Sequence, residues 1–377
     1  MKRVKRLLIV TDTFLPVYDG TTVLLNFLLP VLSKYYKITV LAPHYDLSKN
    51  PYPKTTLIKI PLFGRKMIDV GIPKLRQAIV HTYVENADIV LVLPLGPIGF
   101  LAALDASRLG KKLIFATQCI EHELLPEYLG MRQPFKAATQ FIVSRFMRAL
   151  YNKCDLIIIP AAAAIKDMRK RGIRPRIVAI PLGIDIKKYK PTHNKEHAKA
   201  RLGLKGVVIG YYGRIAREKN LATLFEAFAQ LKKKYGDLNL LIVSPPTKLK
   251  VQKILGMKHV MISYKGKMPN VVPYLQAMDI YVLPSLTETI SLSAIEAMAC
   301  GVPVASTNAG WMPELINKSN GVIFEKRNVD ELTKKLEQLI KNKKIRQKLG
   351  NEARKTIVRG YNLRDVVEKL KQSIDRI

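Results

Sequence analysis

Cysteine, acidic residues and long apolar runs are scarce in this 377-residue chain. The three cysteines, Cys119, Cys154 and Cys300, have neither paired nor metal-type spacing, which argues against a disulfide framework and indicates reduced thiols in a cytoplasmic protein. The uncharged stretch 89–104 contains two prolines and two glycines and is too short and broken to span a bilayer. No low-complexity segment is present, so a disordered or fibrous chain is excluded.

Basic residues far outnumber acidic ones. Lys and Arg number 63, Asp and Glu number 29, and the resulting net charge of +34 is spread over both halves of the chain. Such a surface attracts polyanions, among them nucleic acid, anionic lipid headgroups and phosphorylated ligands. The basic N-terminus leads into an apolar run that stops at Thr11-Asp12. Because that run is too short for a signal peptide, it predicts a first strand.

Hydrophobic periodicity predicts two successive series of strands and helices. The first opens with strand Leu7–Val10, a helix, and strand Ile38–Leu41, a βαβ unit that implies a parallel sheet. The second opens with strand Val207–Tyr212, after a polar connector near residue 195, and continues with a helix for which Asn220 is the predicted N-cap. Further strands are predicted at 156–159, 260–263 and 280–283. We therefore predict two Rossmann-like, doubly wound α/β domains, 1–190 and 191–360, with ligands at the carboxyl ends of the strands.

A pair of glutamates eight positions apart, Glu288 and Glu296, is the strongest motif. Glu288 follows a predicted strand and Glu296 lies in a predicted helix, so both can face one side if the helix begins near Ser291. Glu288 could accept hydrogen bonds from sugar hydroxyls, and Glu296 from a ribose diol. The alternative is a capping box at Ser293-x-x-Glu296 beside a surface acid. The residues whose amides we expect to be free donors for phosphate or sugar oxygens are Thr289, Ile290, Ser291 and Leu292.

Two cations, Arg214 and Lys219, stand between the strand at 207–212 and the following helix. Arg can grip phosphate bidentately, and two cations can neutralise a diphosphate. The alternative is a solvated basic turn. With the glutamate pair, this segment resembles the retaining glycosyltransferases of the GT-B fold known as glycosyl transferases group 1, whose hallmark is Glu, seven residues, Glu. The resemblance covers nearly the whole chain and is strongest to lipid-directed and mannosyl-type members.

Three further segments match that family. The loop from Thr11 to Gly20 is similar to its first glycine loop. The segment around His122 resembles its histidine motif, in which the histidine reaches the donor sugar. Lys267 and Met268 match the sequence position at which relatives hold the nucleotide base of the donor. Two departures concern glycine: Thr289-Ile290-Ser291 stands in place of Gly-Phe-Gly, and Ser244-Pro245-Pro246 replaces a glycine-rich turn.

The resemblance implies an enzyme that moves a hexosyl residue from a UDP- or GDP-sugar to an acceptor, with retention and without a metal or other cofactor. It also implies that a C-terminal helix, about 361–377, crosses back to the N-terminal acceptor-side domain, and that 191–360 holds the donor. Arg214, Lys219, Glu288 and His122 would be the catalytic residues. The expected donor-binding residues are Glu296, Thr289, Ile290, Ser291, Leu292, Gly20, Lys267 and Met268.

Cations and apolar residues mix in two segments, 63–68 and 135–151. The second is a predicted basic amphipathic helix, which favours peripheral binding to the cytoplasmic face of an anionic membrane and a lipid or lipid-linked acceptor. The alternative is an ordinary core-facing helix. Three other functions remain open: a nucleotide-sugar epimerase of the same fold, a catalytically silent transferase, and a non-enzymatic polyanion- or nucleic-acid-binding protein, for which no specific nucleic-acid motif is present.

Overall fold

The computed structural model describes residues 3–15, 17, 20–44, 50, 52–67, 70–73, 77–117, 125–126, 131–244, 260–263 and 270–377. Within them the strands are β1 (Arg6–Val10), β2 (Lys37–Pro43), β3 (Thr55–Ile60), β4 (Leu62–Met67), β5 (Val70–Pro73), β6 (Ile89–Val92), β7 (Lys112–Ala116), β8 (Leu156–Ile159), β9 (Arg176–Ala179), β10 (Val207–Tyr212), β11 (Leu238–Ser244), β12 (Val260–Ser263), β13 (Ile280–Leu283), β14 (Val304–Thr307) and β15 (Gly321–Phe324).

The helices of the described residues alternate with these strands. They are α1 (Gly20–Leu32), α2 (Gln77–Glu85), α3 (Pro97–Arg108), α4 (Phe135–Tyr151), α5 (Ala163–Lys170), α6 (Lys195–Ala200), α7 (Leu221–Lys234), α8 (Val272–Ala277), α9 (Leu292–Ala299), α10 (Met312–Leu315), α11 (Val329–Lys341), α12 (Lys343–Gly360) and α13 (Leu363–Asp375).

Contacts divide the chain into two compact units. The N-terminal unit comprises Met1–Cys119, Gln140–Gly183 and Leu363–Ile377, and the C-terminal unit comprises Ile120–Thr139 and Ile184–Asn362. Each unit is built on a sheet in which every neighbouring pair of strands is parallel, and described helices lie between most of its successive strands. The antiparallel pair β4 and β5 forms a separate two-stranded sheet.

The N-terminal unit contains a seven-stranded sheet of order β3-β2-β1-β6-β7-β8-β9, with every neighbouring pair parallel. Its central strands β6 and β8 are apolar and wholly buried, because helices cover both faces of such a sheet. The strand order reverses between β1 and β6. Asp12, directly after β1, accepts hydrogen bonds from the amides of Ile98 (2.8 Å) and Gly99 (2.9 Å) at the start of α3.

The C-terminal helix belongs to the N-terminal unit, as the family resemblance implied. The apolar face of α13 buries Val366, Leu370 and Ile374 in the core of the first sheet. At its end the Tyr36 hydroxyl donates to the Asp375 carboxylate (2.5 Å). An apolar stripe of this kind buries its area only against another element, so the last helix cannot be an independent tail.

The C-terminal unit contains a six-stranded sheet of order β12-β11-β10-β13-β14-β15, again with every neighbouring pair parallel. Its strand order reverses between β10 and β13. At such a switch point the two neighbouring loops leave in opposite directions, and ligands of open α/β sheets bind in the crevice between them. The predicted fold class, two doubly wound α/β domains, is confirmed.

Candidate active site

The candidate site lies in the C-terminal unit, where the loop after β10 meets the loop after β13. The two loops are joined through their backbones, because the Leu286 amide donates to the Glu218 carbonyl (2.8 Å). The Asn220 side-chain amide adds a bond to the Pro284 carbonyl (3.3 Å). Since both loops start from adjacent strands, the topology brings their functional side chains together.

Lys219 and Glu288, one from each loop, form an ion pair. The Lys219 Nζ lies 2.6 Å from Glu288 Oε1, and Ser285 Oγ donates to the same oxygen (3.1 Å). Their side chains are 22% and 12% exposed, so the pair is only partly screened by water. The structure thus joins one predicted cation to one predicted acid of the site.

Arg214 lies near the start of the loop that follows β10. Its guanidinium Nη2 lies 3.1 Å from Glu218 Oε1, and the Arg214 side chain is 44% exposed while Glu218 is buried. The preceding Gly213 has a φ of +146°, which a side chain at that position would strain. Arg214 is therefore held by one buried acid and still presents a large part of its guanidinium to ligand.

Asn220, a predicted N-cap of α7, has a different role. It stands at the N-cap position with a left-handed φ of 48°, and its side chain accepts no helix amide. Instead its amide nitrogen donates to Thr223 Oγ1 and to the Pro284 carbonyl. The prediction of a conventional cap was wrong, because the contact with the neighbouring loop competes for the same side chain.

Helix α9 begins where the sequence predicted. Ser291 is its N-cap, and the Ser291 hydroxyl accepts a hydrogen bond from the Ala294 amide (3.4 Å). A capping box starting at Ser293 is therefore not formed. The expectation of a free Ser291 amide was wrong, because that amide donates to Met312 Sδ (3.4 Å). Thioether sulfur is a weak acceptor, so a phosphate oxygen could replace it at little cost.

The other residues whose amides we predicted to be free donors lie in the same turn as Ser291. Thr289 and Ile290 are buried, Ser291 is buried and Leu292 is half-buried. The Thr289 carbonyl accepts a hydrogen bond from the amide of Trp311 (3.3 Å), the single tryptophan of the chain. The segment at the start of α10 therefore covers the loop that leads into α9.

Glu296 lies one turn into α9 and is buried. Burial raises the pKa of this carboxyl to about 7, a shift that the Tyr189 hydroxyl and Lys188 oppose. A hydrogen bond from Tyr189 favours the ionised form, whereas desolvation favours the protonated form. Glu296 is thus balanced between its two protonation states near neutral pH.

Two buried tyrosines lie beneath the loops, on the adjacent strands β10 and β13. The rings of Tyr211 and Tyr281 stack with centroids 6.4 Å apart. The Tyr211 hydroxyl donates to the Arg214 carbonyl (2.6 Å). The Tyr281 hydroxyl donates to the Tyr212 carbonyl (2.9 Å) and hydrogen-bonds the Ser293 hydroxyl (2.7 Å). The pair ties the Arg214 loop and the start of α9 to the sheet.

Sequence reasoning missed several of these supporting residues. The sequence analysis assigned no role to Tyr189, Tyr211, Tyr281 or Glu218. Two strand tyrosines preceding the two charged loops were the available signal, since buried phenols require a partner. Tyr189 had no local signal, because its partner lies in a distant helix.

Four predicted residues remain to be placed. His122, Lys267 and Met268 lie outside the described residues. Gly20 is the first residue of α1 in the N-terminal unit and is exposed. The described residues contain no group of three His, Cys, Asp or Glu side chains arranged to hold a metal ion.

Comparison with known families matches both halves of the chain. Residues 20–188 match the model of Glycosyltransferase Family 4, and residues 192–356 match that of Glycosyl transferases group 1. The chain belongs to the group 1 glycosyl transferases. The predicted membership of this GT-B family is confirmed.

Curated relatives of this glycosyltransferase are about a quarter identical to it over the residues that align. The capsular polysaccharide biosynthesis glycosyltransferase CapM of Staphylococcus aureus is 27% identical over 199 residues, which are 50% of this chain and 51% of CapM. A GDP-mannose-dependent alpha-mannosyltransferase of Mycolicibacterium smegmatis is 25% identical over 325 residues, 82% of each chain. The chain spans about half the length of CapM and of most other curated relatives it matches.

Solved structures share the fold over nearly the whole glycosyltransferase chain. Sucrose-phosphate synthase from Thermosynechococcus elongatus superposes with a TM-score of 0.77 at 16% identity, covering 99% of both chains. Anabaena HepE in complex with UDP-glucose gives a TM-score of 0.77 at 16% identity, covering 99% of this chain and 100% of HepE. At such identity the likeness shows the fold and does not identify substrates.

Proposed function

We propose that this chain is a retaining glycosyltransferase that moves a hexosyl residue from a UDP- or GDP-sugar to a membrane lipid or lipid-linked glycan. The observation that carries the proposal is the grouping of Arg214, Lys219 and Glu288 at the switch point of the C-terminal sheet, with Glu296 in the helix that follows. This set supplies cations for a departing diphosphate and carboxylates for the hydroxyls of a sugar and a ribose.

Lys219 already has an anionic partner within the protein, the Glu288 carboxylate. In the ligand-free protein Lys219 is paired with Glu288 at 2.6 Å. A donor diphosphate would compete for the ammonium, and its arrival frees the Glu288 carboxylate to accept hydrogen bonds from the sugar. Arg214, whose side chain is 44% exposed, adds a second cation to the same anion.

The transfer itself needs no protein nucleophile. The bond between the anomeric carbon and the diphosphate oxygen breaks, the acceptor oxygen bonds to the same face, and the acceptor proton passes to the leaving phosphate oxygen. Arg214 and Lys219 stabilise the negative charge that develops on the diphosphate, so catalysis rests on positioning and electrostatics. We propose that these two cations take the place of a metal ion, that His122 and Gly20 contribute to donor binding, and that Lys267 and Met268 contact the base of the nucleotide.

Relatives support both nucleotides as donors. Mannosyltransferases of Mycobacterium tuberculosis and Corynebacterium glutamicum among the relatives are named as GDP-mannose-dependent, and they act on phosphatidylinositol mannosides. HepE was solved with UDP and with UDP-glucose. A UDP- or GDP-hexose donor and a lipid acceptor are therefore the favoured substrates.

Helix α4 supports the lipid acceptor. Four large apolar side chains on it point to solvent: Phe135 (73% exposed), Phe141 (64%), Ile142 (65%) and Phe146 (47%). The helix contains Lys136, Arg145 and Arg148 and no acidic residue. An exposed apolar face with cations and without anions fits an anionic bilayer surface, on the cytoplasmic side in our proposal. None of the helices within the described ranges is both long and apolar enough to cross a bilayer.

A donor panel tests the catalytic part of the proposal. UDP-glucose, UDP-galactose, UDP-N-acetylglucosamine and GDP-mannose are added to wild type, to Glu296→Ala and to the exposed control Glu226→Ala, and the melting temperature is recorded at fixed salt. We expect one donor to stabilise the wild type and Glu226→Ala but not Glu296→Ala. Equal stabilisation of all three proteins would place the donor elsewhere. Proton NMR of the product then reports its anomer, and inversion would disprove retention.

Vesicle sedimentation tests the membrane part separately. Wild type, a Phe141→Ser/Ile142→Ser double variant and the control Ile345→Ser, a comparably exposed side chain on α12, are mixed with phosphatidylglycerol or phosphatidylcholine vesicles. We expect salt-sensitive binding of wild type and control to the anionic vesicles alone, with loss in the double variant. Equal binding of all three proteins would show that the exposed apolar side chains of α4 do not contribute to membrane binding.

A further inference from the structure

Two acids partner the two cations of the loop that follows β10, and they differ in burial. The Glu218 carboxylate lies 3.1 Å from the Arg214 guanidinium, and its side chain is 3% exposed. The Glu288 carboxylate lies 2.6 Å from the Lys219 ammonium, and its side chain is 12% exposed. Glu218 belongs to the same loop as its partner, whereas Glu288 belongs to the loop after β13. The two ion pairs are therefore built differently.

Glu218 is fixed through its backbone. It lies in a single 3-10 turn, Arg217–Lys219, which is closed by a hydrogen bond from the Lys219 amide to the Ala216 carbonyl (3.0 Å). The Glu218 carbonyl accepts a hydrogen bond from the Leu286 amide (2.8 Å) of the neighbouring loop. Because the backbone at Glu218 is held by its own turn and by a second loop, the direction in which its side chain leaves is set before any ligand binds.

Arg214 is held at its backbone by a buried phenol. The Tyr211 hydroxyl donates to the Arg214 carbonyl (2.6 Å), and the Tyr211 ring stacks on that of Tyr281. The Arg214 backbone is thus tied to the sheet, and its long side chain needs one further contact to be ordered. An arginine side chain has many rotamers, and ordering it costs entropy. Glu218 supplies the ordering contact at the guanidinium, through a hydrogen bond from Nη2 to Oε1 (3.1 Å).

We infer that Glu218 is a positioning residue, which orders the Arg214 guanidinium so that its remaining N–H groups meet the donor diphosphate. This inference rests on the proposed function. A guanidinium has five N–H donors in one rigid plane. Glu218 engages the plane at Nη2 and leaves donors for phosphate oxygens. Because the side chain is ordered before the donor arrives, donor binding does not have to supply that entropy.

Glu218 stays paired when the donor binds, whereas Glu288 exchanges partners. Releasing Glu218 from Arg214 would leave a buried carboxylate without its cation, which is costly. Glu288 is more exposed and also accepts a hydrogen bond from Ser285 Oγ (3.1 Å), so it keeps a partner when Lys219 turns to the diphosphate. The site thus combines one permanent ion pair, which orients a cation, with one exchangeable ion pair.

The sign of the change in affinity is the test. UDP-glucose, GDP-mannose and inorganic pyrophosphate are titrated calorimetrically, without acceptor, into wild type, Glu218→Met and Glu218→Asp at fixed pH and salt. Methionine removes a negative charge beside the anion site, so simple electrostatic attraction predicts tighter binding. Loss of the ordering contact predicts the opposite, about tenfold weaker binding of the ligands that wild type binds. Aspartate keeps the charge but is one methylene too short for the contact, so it should weaken binding as well.

Three further comparisons separate orientation from packing. Glu337→Met removes an acid of α11 that pairs with Lys341 (3.1 Å), and it should not weaken binding. Glu218→Gln keeps an acceptor oxygen for the guanidinium and should bind more tightly than Glu218→Met. In an Arg214→Met background, Glu218→Met should have little further effect, since it acts through Arg214 alone. Melting temperatures of the ligand-free proteins show which variants are folded during the titration.

Failure of the orienting role and failure of the proposed function give different results. If wild type binds a nucleotide sugar and folded Glu218→Met or Glu218→Asp binds it at least as tightly, the orienting role is overturned and the proposed function stands. If pyrophosphate binds in a manner that depends on Glu218 but neither nucleotide sugar binds, the proposed donor is wrong and Glu218 still orients Arg214 toward a diphosphate. If wild type binds none of the three ligands, both are overturned.

Discussion

The Lys219 ammonium lies 2.6 Å from the Glu288 carboxylate, although 69 positions of sequence separate the two residues. In our proposal the cation binds the diphosphate of the donor and the carboxylate binds the sugar hydroxyls. Pairing the two side chains keeps both charges compensated in a partly buried site.

Replacing Lys219 by methionine should weaken donor binding by about tenfold to a hundredfold, because one charge-assisted contact to the diphosphate is lost. Calorimetric titration with the donor identified in the panel measures the change. Lys335→Met is the matched control, because Lys335 lies 2.9 Å from Glu331 on the remote helix α11. Similar losses in both variants would point to general electrostatic attraction instead of a specific site.

Glu296 should make the stability of the ligand-free protein depend on pH. Its folded-state pKa is raised from 4.5 to about 7, so ionisation is easier in the unfolded chain. The stabilising preference for the protonated form is fully present below pH 4.5 and is lost as the pH rises through about 7, in total about 3 kcal/mol. Glu296→Gln should flatten this part of the stability curve. Urea titrations at about pH 5 and about pH 8 measure the difference, and an unchanged slope in the variant would assign the effect to another group.

Tyr281→Phe should affect the start of α9 through Ser293. The variant loses the hydroxyl that bonds Ser293 and the Tyr212 carbonyl, at a cost of about 1 to 2 kcal/mol in unfolding free energy. Ser293→Ala removes the same contact from the other side, so the double variant should lose less than the sum of the single ones. Chemical denaturation provides all four stabilities. Additive losses would mean that the two hydroxyls do not act as a unit.

Lys199→Met should destabilise the C-terminal unit without changing the donor site. The buried Lys199 ammonium lies 2.8 Å from Asp279 Oδ2 and also donates to the Gly206 carbonyl (2.8 Å). Removing one partner of a buried pair costs about 3 kcal/mol. The exposed pair Lys355–Glu352 (2.7 Å) offers the control Lys355→Met, which should cost under about 1 kcal/mol. Both variants should keep wild-type donor affinity while folded; a loss of affinity in Lys199→Met alone would connect this pair to the site.

Gly96→Ala should disturb the switch point of the N-terminal unit. A Cβ at Gly96 would overlap the Asp12 side chain, which accepts the amides at the start of α3. Overpacking of this kind costs about 1 to 3 kcal/mol. Gly236→Ala is the control, because a Cβ there meets nothing within 4 Å. Equal thermal stability of both variants would show that the Asp12 contact adapts easily.

Much of the fold followed from the sequence because strand and helix periodicities are local. The apolar runs at 156–159, 207–212, 260–263 and 280–283 coincide with β8, β10, β12 and β13. The start of α9 also followed, since a serine before an apolar helical pattern is a cap signal. The failures occurred where distant segments compete for a polar group, as Pro284 does for the Asn220 side chain and Met312 does for the Ser291 amide.

By itself the sequence determined which charged groups are available, namely two glutamates eight positions apart and Arg214 and Lys219 after a strand. It also determined the alternation of strands and helices that requires parallel sheets. Only the tertiary structure decided which of these groups are partners. Strand order places β10 beside β13 and so brings Lys219 to Glu288, and Arg354 joins the Tyr189 carbonyl to the end of α9 at Ala299. The physical reason is that side-chain type and spacing act within a few residues, whereas an ion pair or a buried hydrogen bond depends on distances set by packing across the whole unit.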